Sequence, residues 1–209
     1  MTEKANKPVP IRLVSACMAG FPCRYNGKAK PVEAIEEMVI HGEAMFTCPE
    51  MLAGFDTPRR PAEIVGGDGD DVLDGTARIV DASGLDVTEA FVKGAYQTLH
   101  IAQAAKVQEA ILKEGSPSCG CTYIYDGSFS GTQRTGMGVT AALLHRNTIS
   151  VISEAEMLKR DAMEQSSSIM ETLEVMSDTA LMIAFRQGVQ ELNEGKGRPW
   201  KDVKKDLGL

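Results

Sequence analysis

Short apolar runs of strand length alternate with amphipathic stretches over the first three quarters of the chain. Residues 11–16 form the first run, and a loop follows over 18–30, marked by Gly20, Pro22, Asn26 and Gly27. Pro31 suits a first helical position, and residues 32–41 continue the helix to a stop at Gly42. Residues 44–47 read as a second strand. The Pro- and Gly-containing segment from 49 to about 69 reads as a loop, and loops of that length inside a compact domain are usually functional. Asp74-Gly75, between Val72-Leu73 and residues 77–80, predicts a β-hairpin over 70–81. Asp86 with Glu89 resembles a capping box, with Thr88 as the competing cap, opening a helix that runs to about 105. Phe91, Ala95, Leu99 and Ala102 form its apolar face. Residues 107–113 make a third strand, 115–138 a Gly- and Ser-rich loop, 139–145 an apolar helix and 149–152 a fourth strand. This alternation predicts an α/β fold, a mostly parallel sheet flanked by helices.

Beyond residue 153 the pattern turns wholly helical. A charged helix over 154–165 is followed by Ser166-Ser167-Ser168 as a break or a cap, then an amphipathic helix over 169–192. A turn over 195–199 and a short helix over 200–207 close the chain. The expected organisation is a flexible tail over 1–10, a single α/β domain over 11–154 and a helical C-terminal extension over 155–209.

Charge and composition narrow the function. The chain has 209 residues, with 22 basic and 29 acidic side chains and a net charge of −7, which opposes broad nucleic-acid binding. No stretch has the apolar length of a membrane span, and residues 1–10 lack the apolar core of a signal peptide, so a cytoplasmic protein is expected. Five cysteines is an odd number, and in a reducing compartment they read as ligands or reactive thiols, not as a disulfide set.

Cys17, Cys48 and Cys119 each lie where an apolar run gives way to a loop. If those runs are strands of one parallel sheet, all three thiols emerge at its carboxyl edge, where open α/β sheets bind ligands. Any one of them alone reads as a small buried residue. Together, in polar turns, they suggest a soft metal centre with one open coordination position. A four-iron cluster, a three-iron cluster and zinc all accept three thiolates. Cys23 is expected to be structural, and Cys121 to lie near the site without ligating. His41, His100 and His145 fall in predicted helices, where packing or surface roles are the default. Arg59 and Arg60 either bind an anionic or carbonyl group of a substrate or pair with Glu63 and pin the loop, with equal weight. Gly136-Met137-Gly138 before a helix is a weak anion-binding signature.

Eight segments occur in the order found in one known family. They are Val14-Ser15-Ala16-Cys17, Cys23-Arg24-Tyr25-Asn26-Gly27, Cys48-Pro49-Glu50, Pro58-Arg59-Arg60-Pro61-Ala62-Glu63-Ile64, Asp86-Val87-Thr88, Ser116-Pro117-Ser118-Cys119-Gly120, Ile124-Tyr125-Asp126-Gly127 and residues 136–144. On these motifs the chain resembles the thiouracil desulfidases over about residues 11–154. The resemblance implies a [4Fe-4S] cluster held by Cys17, Cys48 and Cys119 and non-redox removal of sulfur from a small thiolated pyrimidine. It implies an acid, which Glu50 matches best, and a hydroxyl, from Ser116 or Ser118. Polarising C=S at an open iron makes the carbon electrophilic, and water attacking it needs a carboxylate to take its proton. For Glu50 the plain alternative is an acid in a helix first turn, and for the serines it is turn chemistry. Residues 188–209 lie outside the resemblance and are similar to the tails of small bacterial antitoxins, which pack on partners. Trp200 there reads as an anchor on the chain's own domain or in a homodimer. The second functional reading is a non-catalytic metal- or cluster-binding protein or sulfur carrier with a partner-binding tail.

Overall fold

The computed structural model describes residues 11–196. In chain order the elements are β1 (Arg12–Ser15), a 3-10 turn (Ala16–Ala19), α1 (Glu33–Ile40), β2 (Ala44–Thr47), α2 (Pro49–Leu52), β3 (Ala62–Val65), α3 (Gly69–Leu73) and β4 (Arg78–Asp81). There follow α4 (Thr88–Ala104), β5 (Glu109–Leu112), β6 (Tyr123–Tyr125), β7 (Gln133–Thr135), α5 (Val139–Arg146), β8 (Ser150–Ser153), α6 (Glu154–Ser177) and α7 (Thr179–Asn193).

A four-stranded parallel sheet, ordered β2-β1-β5-β8, forms the centre of the domain. Val14 sits opposite Phe46 on one side and Ile111 on the other, and Ile111 opposite Ile152. The chain leaves β1 towards β2 and later returns to the opposite side of β1, so the order reverses between β1 and β5. A crevice opens beyond the carboxyl ends of strands at such a switch point.

Both faces of this sheet are covered, which is why its strands are near-continuous apolar runs. Leu13, Ala110 and Leu112 point into one core with Phe91, Ala95 and Leu99 of α4 and Val139, Ala141 and Leu144 of α5. Val14, Ile111 and Ile152 point into the other, with Ile35 and Met38 of α1. Burying each of these large aliphatic side chains contributes about 1.5–3 kcal/mol.

Gly94 shows how closely α4 supports the site. A Cβ on it would run into the carbonyl oxygen of Pro49, at the start of α2. Gly94→Val is therefore expected to lower stability by roughly 1–3 kcal/mol, the cost of overpacking, read as a lower urea midpoint. Because α2 carries Glu50, the same change is expected to reduce function more than the stability loss alone explains.

The hairpin expected over 70–81 does not form. Asp68 Oδ1 accepts the N–H groups of Asp70 (2.9 Å) and Asp71 (3.4 Å), while the Asp71 carboxylate accepts the Asp68 N–H (2.9 Å). This reciprocal cap turns residues 69–73 into helix. β4 pairs instead with β3, antiparallel, Ile64 opposite Ile79. The segment 49–69 thus contains α2 and β3 in place of a continuous loop.

The described chain divides into two compact units after Leu158. In the second, the helix runs unbroken through Ser166-Ser167-Ser168 and stops before Asp178, because serine is tolerated inside a helix and these three are exposed. α7 then carries the chain to Asn193. The expected tail over 1–10, most of the turn over 195–199, the helix over 200–207 and Trp200 lie outside the described residues. Among the described residues no helix is long and apolar enough to cross a membrane.

Candidate metal centre and active site

Three of the four thiols at the switch point sit close behind strand ends. Cys17 follows β1 in the 3-10 turn and is buried. Cys48 follows β2 directly as the N-cap of α2, where Pro49 at the first helical position sets the turn. Cys119 follows β5 after a tight turn in which Ser116 Oγ accepts the N–H groups of Ser118 and Cys119, both at 3.1 Å. The turn is fastened from below by α5, whose Val139 and Thr140 N–H groups donate to the Pro117 and Ser118 carbonyls, both at 2.9 Å. The Gly136 and Gly138 N–H groups of the Gly136-Met137-Gly138 segment are likewise spent on backbone, donating to the Thr122 (3.1 Å) and Gly120 (2.9 Å) carbonyls. Gly138 is needed for close approach, since a Cβ there would strike the Ser118 backbone.

Cys17, Cys48 and Cys119 line one cavity of about 370 Å³, and Cys23 lines it with them. The sequence reading of Cys23 as a structural residue missed this, because nothing local places its loop over the strand ends. Burial pushes the Cys119 thiol up to about 12, partly offset by the Ser15 hydroxyl. Contact with the Cys17 thiol raises Cys23 to about 11, and contact with the Cys23 thiol, then burial, raises Cys48. A metal centre binding here displaces those protons. Among the described residues, no three His, Cys, Asp or Glu side chains come close enough together to share one metal ion. In a cluster each thiolate binds a different iron, so three thiols lining one cavity can hold such a centre. Cys121 does not line the cavity; its Sγ faces the carbonyls of Leu112, Cys119 and Ile152. The three histidines are exposed and none lines the cavity.

Beside the thiols stands a carboxylate held from two sides. Glu50, in the first turn of α2, accepts Arg59 Nε (2.8 Å) and Nη2 (2.6 Å) on Oε2, and Ser116 Oγ (3.4 Å) on Oε1. Arg59 Nη2 also donates to the Cys23 carbonyl at 3.0 Å. Arg59 therefore pairs with Glu50, and the expected pairing with Glu63 is not made. Glu63 accepts the Gly127 and Phe129 N–H groups instead, both at 3.0 Å. The two serines part company. Ser116 lines the cavity, while Ser118 is fully buried with its hydroxyl 2.8 Å from Thr140 Oγ1.

The arrangement combines a soft donor set, a fork-held carboxylate and a hydroxyl around a cavity large enough for a small ring. Comparison with known proteins points the same way. A family model described as 2-thiouracil desulfurase matches residues 13–156. The chain is 54% identical over 145 residues to "Uncharacterized protein YbbK" of Bacillus subtilis (strain 168), across 69% of this chain and 96% of that protein. Among solved structures it is similar to the [4Fe-4S]-dependent thiouracil desulfidase TudS, with a TM-score of 0.64 and 40% identity, across 75% of this chain and 98% of that one.

Proposed function

Because this chain belongs to the 2-thiouracil desulfurase family, we propose that it replaces the sulfur of a thiolated nucleobase such as 2-thiouracil with oxygen from water, at a [4Fe-4S] cluster held by Cys17, Cys48 and Cys119. The supporting observation is that these thiols and the Arg59–Glu50–Ser116 group face one cavity at the switch point of the sheet. Water enters and hydrogen sulfide leaves, so C=S becomes C=O and no electrons are transferred. When bound, the cluster supplies an iron without a permanent protein ligand, a soft Lewis acid for the thiocarbonyl sulfur.

The chain's own residues do the rest. Glu50 takes the proton of the attacking water. The Arg59 fork fixes one carboxylate oxygen, so the other, Oε1, stays turned towards Ser116 and the cavity. Ser116 is the hydroxyl of this mechanism, because Ser118 is turned into the core towards Thr140. All five cysteines are free, which fits the reducing cytoplasm as the compartment.

Anaerobic reconstitution is expected to load about four iron and four labile sulfide per chain, after which 2-thiouracil should yield sulfide and uracil. A full cluster with no sulfide from any thiolated pyrimidine would favour the cluster-binding or sulfur-carrier reading. Zinc, or no metal, would remove the mechanism at its first step.

A further inference from the structure

Phe129 is held in a costly backbone conformation beside the cavity. Its φ is +56°, in the left-handed region that bulky side chains rarely enter. Two other described non-glycine residues, Lys106 and Thr148, share such a φ. Each lies just beyond the end of a helix, α4 and α5, where a left-handed residue is an ordinary stop. Phe129 follows no helix and sits in the loop joining β6 to β7. Glycine would take the same turn without strain, so the turn alone does not explain a phenylalanine. Nor does the core explain it. Among the described residues, Phe129 belongs to neither apolar cluster, and its ring pairs with no other aromatic ring. It lines the cavity that the thiols, Glu50 and Ser116 also line. Resting on the desulfidase reading above, we infer that the Phe129 ring stacks on the face of the substrate's pyrimidine and that Glu63 is the positioning residue that keeps it there.

The loop is braced against β3. Glu63, buried on that strand, accepts the Gly127 and Phe129 N–H groups on one carboxylate oxygen, both at 3.0 Å. A Cβ on Gly127 would lie 2.6 Å from the Ile64 carbonyl oxygen, so the loop backbone rests directly on the strand. On the exposed side the hydroxyls of Ser128, Ser130 and Thr132 form a chain, with steps of 2.8 and 2.7 Å. The Ser128 N–H and hydroxyl both donate to the Asp126 carboxylate, and the Asp126 N–H donates to the Thr132 carbonyl at 3.1 Å. Backbone strain persists where the surroundings over-determine it, and it gathers at ligand clamps. A pyrimidine offers a flat π face, which an aromatic side chain grips by stacking. A stacked ring is confined to one plane, which limits where its thiocarbonyl can point.

The test titrates uracil, which has the planar ring but no sulfur to lose, into cluster-loaded protein by calorimetry. Phe129→Gly relieves the strain and removes the ring, while Phe129→Leu keeps apolar bulk without a π face and carries the comparison if the glycine variant fails to fold. Both are expected to weaken uracil binding by about 5- to 100-fold, the range for losing a base-stacking aromatic. Phe129→Trp is expected to stay within about threefold of wild type, since it restores the stack. KM for 2-thiouracil should rise in parallel, with a smaller change in kcat. The preference of wild type for uracil over 5,6-dihydrouracil, whose saturated carbons pucker the ring, should shrink by the same factor in Phe129→Gly. Glu63→Ala should weaken uracil binding, Glu63→Gln should restore it by keeping an acceptor oxygen, and Glu63→Ala should add nothing to Phe129→Gly. An added loss in that double variant would overturn the positioning role. Equal uracil affinity in wild type, Phe129→Gly and Phe129→Leu, or no uracil binding by wild type, would overturn the stacking inference and leave the desulfidase reading standing. Wild type that binds uracil but releases no sulfide from 2-thiouracil would refute that reading and leave the ring contact standing.

Discussion

Glu50→Gln is expected to lower kcat by about 10²–10⁴-fold, the range for removing a general base, with iron and sulfide content unchanged. Glutamine keeps the length of the side chain. Its amide oxygen can still accept from Arg59, and its NH2 can donate to Ser116 Oγ, so both contacts of the carboxylate survive in altered form. What is lost is the capacity to take a proton from water. A loss confined to kcat with KM nearly constant marks a group that acts in the transition state. Turnover measured on cluster-matched samples decides the matter, and an unchanged kcat takes Glu50 out of the mechanism.

Cys48→Ala is expected to bring iron from about four per chain to below about one, abolishing sulfide release with it. Cys48 joins the end of β2 to the start of α2, so no neighbouring backbone can move a substitute into its place without breaking the sheet edge or the helix. Cys121→Ala is the control. That thiol faces three carbonyls in the core and is outside the cavity, so its loss should cost some stability and no iron. Elemental analysis and the visible absorption of reconstituted protein read both variants. Full iron in Cys48→Ala would show that another thiol holds the third position, and loss of that iron in the double variant with Cys23→Ala would identify it.

Much of this was legible in the chain because it depends on local pattern. Apolar runs at 11–16, 44–47, 107–113 and 149–152 mark the four central strands to within a residue at the last strand's end, since a strand buried on both faces is largely apolar. The positions of Cys17, Cys48 and Cys119 behind three of those runs were enough to gather them at one edge. The hairpin over 70–81 failed for a definite reason. Asp74-Gly75 is a strong turn signal, but the Asp68–Asp71 cap upstream is stronger in context, and the partner of residues 78–81 lies in a segment that carried no strand signal.

The sequence by itself determined the layered α/β architecture, the family, and the residue types and spacing of the site. Those follow from periodicity and from motifs read along one dimension. Only the tertiary structure decided which of two serines faces the cavity, that Arg59 braces Glu50 and not Glu63, and that Cys23 joins the other thiols. Each of these depends on contacts between segments far apart in the chain. Ser116 meets Glu50 across 66 residues and Arg59 reaches the Cys23 carbonyl across 36, and such meetings are set by how strands order themselves in a sheet, which no local pattern records.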